Sequence, residues 1–496
     1  MSVDSKNLKN KAIGGFFWTL AEKFAAQGVS FIVSIILARL LLPEAYGLVA
    51  IVTIFTSLAN VFVKSGLGTS LIQKKDADTL DFSTVFYFNM AFSVVLYIVM
   101  FFLAPVIAYF YGNDLISPVL RVSSISLLLS GINNVQQAYV SKHLDFKKFF
   151  WSTLIGTVVS AVVGIIMAYN GFGVWSLVTQ QLLNSFMDTV FLHFTIGWKP
   201  TREFSFNRLK SLYRFGWKIF AVDLMDTAYD DMQGLAIGKK YSSADLAYYN
   251  KGNQFPRIIA RNIDNSIQSV TFPILSLAQD DKEKFKRIMH RGCSLSFYFI
   301  CPMMIGMLCV ARPMVLLLLT ANWIGCVPYV QLFCISYLFR PLEITNLQAL
   351  YALGKSGLAL KLDIFKKIIG IITLVLALLL FNDPIYICIA CVLCTLLNTL
   401  INMIAVQKQT GYKVFEQLKS IFGTLIVSLV MGGLCLLIQY LLPNLRTIWL
   451  LAIQISVGVG VYLLLSFLFK LESFKYSVDY VKGLFSKRKD NEAQSD

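Results

Sequence analysis

The stretch I-W-L-L-A-I-Q-I-S-V-G-V-G-V-Y-L-L-L-S-F-L-F, Ile448 to Phe469, contains no charged side chain. A helix needs about 20 mostly apolar residues to cross a bilayer core roughly 30 Å thick, and this run supplies them. Similar runs recur at Phe31 to Ala38, Ala45 to Val63 and Ile368 to Phe381. Across the 496 residues 56% are hydrophobic, only 15% are charged, and mean hydropathy is +0.65. An average soluble chain carries about 25% charged residues. The sequence therefore predicts an all-α polytopic membrane protein.

About fourteen spans are predicted. The first six lie near 12–38, 45–70, 83–111, 115–140, 147–170 and 173–197. The other eight lie near 212–237, 245–275, 287–310, 314–340, 357–381, 384–407, 415–442 and 446–469. Asn322 to Pro328 interrupts the tenth, and a helical hairpin there could extend to Leu353.

Positive charge provides a separate test, because short cytoplasmic loops are enriched in Lys and Arg. With the N-terminus inside, 30 of the 44 Lys and Arg fall in inner segments and five, Arg39, Lys239, Lys240, Arg312 and Arg446, in outer ones. Both termini are expected in the cytoplasm of a bacterial cell, with the chain in the inner membrane. The net charge of +16 then reads as topology and not as affinity for nucleic acid. The first apolar stretch is too long for a cleavable signal peptide.

Leu37 to Leu40 and Ile237 to Lys240 occupy matching places, as do Pro43 to Gly47 and Ser243 to Ala247. Six spans separate the first from the seventh, so the repeats would be parallel, as in transporters that rock two lobes about a central site. The expected organisation is an N-lobe over 1–198, a connector over 199–211, a C-lobe over 212–410, two further spans over 411–470 and a basic tail over 471–496. Each lobe would hold six helices, and the two would surround a central cavity.

Cysteines and histidines offer no catalytic constellation. Cys388, Cys391 and Cys394 have metal-site spacing, but they lie on an apolar span with no fourth ligand nearby. They read as small hydrophobes. No catalytic residue is predicted.

Two spans break the apolar pattern. In the eighth, Arg257, Arg261, Asp264, Asn265 and Gln268 form one stripe at 100° per residue. Each charge facing lipid at mid-span would cost about 2.5 to 3.5 kcal/mol, so the stripe is expected to face protein or a wet cavity. The plainer alternative is a structural Arg261 to Asp264 pair. In the seventh, Asp223, Asp226 and Asp230 fall within about 60° of one another while Asp231 points elsewhere. Stacked carboxylates in a low dielectric must share protons or hold a cation. Asp363 and Asn398 could add ligands, and offsetting Lys218, Arg257 or Arg261 is the alternative role. Lys23 and Lys64 sit on polar faces close enough to the inner ends of their spans to snorkel. Lys366, Lys367 and Arg121 read mainly as snorkelling, and Arg340 with Glu343 as a local pair.

The run L-A-R-L-L-L-P-E-A-Y-G, Leu37 to Gly47, resembles the end of the first span in Wzx-type polysaccharide flippases of the multidrug/oligosaccharidyl-lipid/polysaccharide exporter superfamily. H-L-D-F-K-K (143–148), G-F-G-V-W-S-L-V (171–178), L-A-Y-Y-N-K-G-N-Q-F-P (246–256) and V-T-F-P-I-L-S (270–276) extend the resemblance toward the colanic-acid-exporter branch. It implies export of an undecaprenyl-pyrophosphate-linked oligosaccharide from the inner to the outer leaflet. It further implies basic cavity residues on the pyrophosphate, matching Lys251. Acidic residues of spans seven and eleven would hold a sodium ion, matching Asp223 or Asp226, and Asp363.

For such a substrate Arg257 and Arg261 become the expected pyrophosphate ligands, with Lys251, Lys23 and Lys64 as further candidates. Asp223, Asp226, Asp230 and Asp363 are the coupling-cation candidates. Asn133, Gln137, Gln180 and Asn184 are sugar-contact candidates. No cofactor is expected, nor any metal beyond sodium at the aspartates. Coupling would draw on sodium or protons and on the membrane potential. The expected partners are the lipid-linked oligosaccharide, membrane lipids and other polysaccharide assembly proteins, with the chain a monomer. A cation-coupled multidrug exporter would lack the arginines of span eight. A membrane polymerase or ligase would need a long outer loop carrying acid and base residues, and the outer connectors are short.

Overall fold

A computed structural model describes residues 25–479, and the regular structure among them is helical. The chain forms two compact units, Met1–Ala247 and Tyr248–Asp496. Nine helical segments among the described residues are long and apolar enough to cross a membrane: 43–73, 79–111, 116–143, 146–169, 282–318, 321–352, 385–410, 414–441 and 447–468. The helices at the other predicted spans are shorter or more polar, and they carry most of the candidate site residues.

In the first unit the described part of α1 is Ala25–Leu40. It is followed by α2 (Pro43–Lys64), α3 (Leu67–Gln73), α4 (Thr79–Tyr111), α5 (Ile116–Ser123), α6 (Ile125–His143), α7 (Phe146–Tyr169), α8 (Val174–Thr195) and α9 (Phe206–Lys240). Pro43 opens α2, where a missing N–H costs nothing. Left-handed Ser65 and Gly66 then break the chain before α3. A Cβ on Gly66 would collide with the carbonyl of Gly216, so α3 and α9 can meet here only as bare backbone.

The most extensive helix pairing in this unit follows from a repeat of small residues. Ser152, Gly156, Ser160, Gly164 and Ala168 recur every fourth position of α7 and are all buried. Such a stripe lets two helices approach until backbones nearly touch. A Cβ on Gly156 would lie 2.9 Å from Asn184 Oδ1, and one on Gly164 would lie 2.9 Å from Gln180 Cβ, both on α8.

A charged tie closes the end of this unit predicted to be cytoplasmic. Asp78 caps α4 in a reciprocal bond with Asp81. Fully buried Asp81 accepts from Lys74 at 2.7 Å and lies 3.3 Å from Arg208. Burial works against ionised Asp78, but the Asp81 N–H and the Arg208 guanidinium outweigh it and hold its carboxyl below the usual range.

The second unit takes up the chain within α10 (Ser243–Ser276) and continues through α11 (Lys282–Leu318) and a 3-10 segment (Ala321–Cys326). Then come α12 (Val327–Leu338), α13 (Arg340–Ala352), α14 (Ser356–Leu380), α15 (Ile385–Thr410), α16 (Val414–Leu441) and α17 (Thr447–Leu468). Both α16 and α17 pack on α11, where Tyr462 donates to the carbonyl of Tyr298 at 2.6 Å. Here one predicted boundary is corrected. The ninth predicted span, α11, does not stop near 310 but continues through Pro302 and Pro313 to Leu318, so the tenth segment is 321–352 rather than 314–340. Left-handed Thr320 makes the break, and the following segment bends again where Pro341 begins α13.

Candidate functional site

The stripe of α10 is the best-defined polar feature of the second unit. Arg257, Arg261, Asn265 and Gln268 are all exposed, while Asp264 is 4% exposed. Asp264 does not pair with Arg261. Its Oδ2 accepts instead from Nε of Arg340, at the start of α13. The local Arg340 to Glu343 pair read from the sequence gives way as well, because Glu343 takes Lys366 of α14 at 3.3 Å. The reason is depth: Lys366 keeps 8% of its side chain exposed and cannot snorkel from there. Among the described residues neither Arg257 nor Arg261 forms an ion pair. Two guanidinium groups one helical turn apart are thus left with their donor forks open, the geometry that suits phosphate oxygens.

Lys251 lies on the same helix but is 6% exposed. Its Nζ donates to Gln254 at 3.1 Å and stands 5.8 Å from the ring centre of Trp323. The helix is pressed close here, with a Cβ on Gly252 falling 3.0 Å from the backbone N of Val330.

The aspartates of α9 divide between exposed positions and a packed one. Asp223, Asp226 and Asp230 are exposed, whereas Asp231, the one expected to point elsewhere, accepts from Ser57 of α2 at 2.7 Å. Asp363 sits 3.1 Å from Lys367, one turn along α14. Lys64 ends α2 and is exposed, and Lys23 lies outside the described residues.

The sugar-contact candidates converge on helix packing in the first unit. Asn133 is 9% exposed and donates through Nδ2 to Asp188 Oδ2 at 2.6 Å. Gln137, one turn further along α6, approaches the same carboxylate. Gln180 and Asn184 lie over the glycines of α7. Sequence reasoning passed over Asp188 itself. The available signal was its i, i+4 spacing from Asn184, facing the small-residue stripe of α7. Elsewhere in this unit Phe62, Phe88, Phe92, Phe206, Tyr213 and Phe220 line an apolar groove of about 650 Å³ that Lys210 also borders.

The family described as "Polysaccharide biosynthesis protein" matches residues 36–328. The chain belongs to that family. A succinoglycan biosynthesis transport protein of Rhizobium meliloti is 23% identical over 64% of this chain and 65% of its own length, just under two thirds of that relative. An uncharacterized membrane protein from the cps region of Klebsiella pneumoniae is 24% identical over 97% of this chain and 98% of its own. A lipopolysaccharide biosynthesis protein of Escherichia coli K12 is 21% identical over 75% and 76%. In fold the chain is similar to the lipid II flippase MurJ in an inward closed conformation, with a TM-score of 0.71 over 92% of this chain and 98% of that one at 15% identity. An inward-facing multidrug resistance MATE family transporter of the MOP superfamily gives 0.59 over 78% of this chain and 94% of its own, at 16% identity. This member of the family is thus a multi-pass membrane protein with the exporter-superfamily fold.

Proposed function

We infer that this family member is a flippase that moves an undecaprenyl-pyrophosphate-linked oligosaccharide from the cytoplasmic to the periplasmic leaflet by alternating access, for surface polysaccharide assembly. The observation that carries the reading is the charge inventory of α10. Because Asp264 is committed to Arg340, Arg257 and Arg261 keep both positive charges for a ligand. A pyrophosphate diester, ionised once on each phosphorus, matches that pair in charge and spacing. The aromatic groove beside Lys210 has the apolar lining that a polyprenyl tail requires. The relatives named for succinoglycan and lipopolysaccharide biosynthesis support a surface polysaccharide as the product. A cationic drug would gain nothing from the two arginines, which disfavours multidrug export.

In this reading the chain orients and carries its substrate and performs no bond chemistry. Outward movement of an anion from a negative interior is helped by the membrane potential, at about 2.3 kcal/mol per charge per 100 mV. The test is surface polysaccharide in cells expressing Arg257→Ala, Arg261→Ala and the double variant, each checked for its level in the membrane. Export should be lost while protein level holds, and Lys substitutions should restore part of it, since Lys keeps the charge without the fork. Normal export by the double variant would refute the assignment.

A further inference from the structure

Within the first unit one carboxylate is held by neutral groups alone. Asp188, on α8, accepts from Asn133 Nδ2 at 2.6 Å through one oxygen and from the Ser152 hydroxyl through the other. Ser152 also lies 3.3 Å from the Asp188 backbone carbonyl. No Lys or Arg pairs with Asp188 among the described residues. Lys148, one turn before Ser152 on α7, is the nearest basic side chain along that helix and is bound to Asp145 at 2.8 Å. Three other acids each face a base: Asp81 faces Lys74 and Arg208, Asp264 faces Arg340, and Glu343 faces Lys366. A carboxylate inside a helix bundle without an opposite charge must take up a proton or a cation.

The surrounding atoms favour a cation. Asn133 is nine-tenths buried, and its Oδ1, the other arm of the amide that meets the carboxylate, has no hydrogen-bond partner. Asn184 Oδ1 stands over Gly156, one turn from both Asp188 on α8 and Ser152 on α7. A rotation of the Asn133 amide would thus bring its oxygen to the carboxylate and the Ser152 hydroxyl, with the Asn184 amide oxygen one helical turn along α8. The donor set is all oxygen, which selects a hard ion over zinc, copper or iron. Its total charge of minus one balances a monovalent ion and leaves a divalent one uncompensated.

We propose that Asp188, Asn133, Ser152 and Asn184 form a sodium site inside the first unit. It is separate from the aspartates of α9 and from Asp363, and its occupancy depends on no lipid-linked substrate. Sodium at this point ties α8 to α6 and α7 more tightly than the neutral donors do alone.

The experiment is a sodium titration of the purified full-length chain without substrate, following the melting temperature at constant ionic strength against choline chloride. The melting temperature of the unsubstituted protein should rise with sodium and saturate. Asp188→Asn should melt at a sodium-independent temperature. Ser152→Ala and Asn184→Ala keep the carboxylate and should need several-fold more sodium for half the rise, so the test survives if Asp188→Asn fails to fold. No sodium response, a response unchanged in all three variants, or one reproduced by lowering pH without sodium would each overturn the proposal. Because the readout involves no transport, its failure is distinct from failure of the flippase reading, which polysaccharide export decides.

Discussion

Replacing Arg340 by Ala should destabilise the second unit through the acid it abandons. Asp264 is 4% exposed, Oδ2 accepts only from Arg340 among the described residues, and Oδ1 has no partner. Removing one member of a buried pair costs about 3 to 5 kcal/mol, mostly because the remaining charge stays out of water. The Arg340 side chain retains 42% exposure, which screens the pair from one side and places the loss near the lower bound, about 3 kcal/mol. That corresponds to a change of roughly 150-fold in the ratio of folded to unfolded protein. The assay is melting temperature of the purified protein, with membrane abundance of a fluorescent fusion as the cellular readout. Asp264→Asn introduced into Arg340→Ala should recover most of the loss, because the stranded charge is gone. If Arg340→Ala melts with the unsubstituted protein, or if Asp264→Asn adds a further full-sized loss, the pairing is not what holds this region.

Other consequences are read from neighbouring contacts. Lys366→Ala should lower the melting temperature far more than Lys367→Ala, since Lys366 meets Glu343 in the interior while Lys367 makes an i, i+4 pair of the kind worth about 0.3 to 0.5 kcal/mol. Equal losses would contradict that ranking. Gly156→Val should force α7 from α8 and reduce folded protein in the membrane, whereas Gly460→Ala, with nothing within 4 Å of the added Cβ, should be silent. All nine cysteines are unpaired and all but Cys391 are buried, so a thiol reagent should label the folded protein slowly and the denatured protein at once. Reporter tags after residues 113 and 241 should be periplasmic, and tags after 78 and 204 cytoplasmic; an external tag at 204 would refute the arrangement in two six-helix lobes.

The spans were legible because a bilayer imposes both a length and a composition, and runs such as 447–468 satisfy the two together. The break near 320 was visible as an interruption but misplaced. Prolines inside α11 look like stops in sequence, yet neighbouring helices can re-satisfy the carbonyls they free and let the helix continue. Partner choice was the illegible part. Arg340 and Asp264 are separated by 76 positions, and nothing local prefers that pair over Arg340 with Glu343 at i, i+3. The packing of the polar face of α8 was hidden for a related reason. Amide side chains over glycines look in sequence like groups offered to a ligand, whereas close helix approach folds them into the interface.

That difference in partner choice reaches beyond stability into the function proposed for α10. Had Asp264 bonded Arg261, as its place three residues along the same helix suggests, the stripe would keep one free positive charge and half its attraction for a dianion. With Asp264 taken by Arg340, the carboxylate sits beside the stripe without cancelling it, and in the proposed function Arg340 would act on ligand binding from a position outside the stripe. Its loss would release Asp264 toward Arg261 and so weaken a pyrophosphate site that Arg340 never touches. Arg340→Ala should then impair export even in the fraction of protein that remains folded, and the Asp264→Asn change that recovers stability should recover export with it.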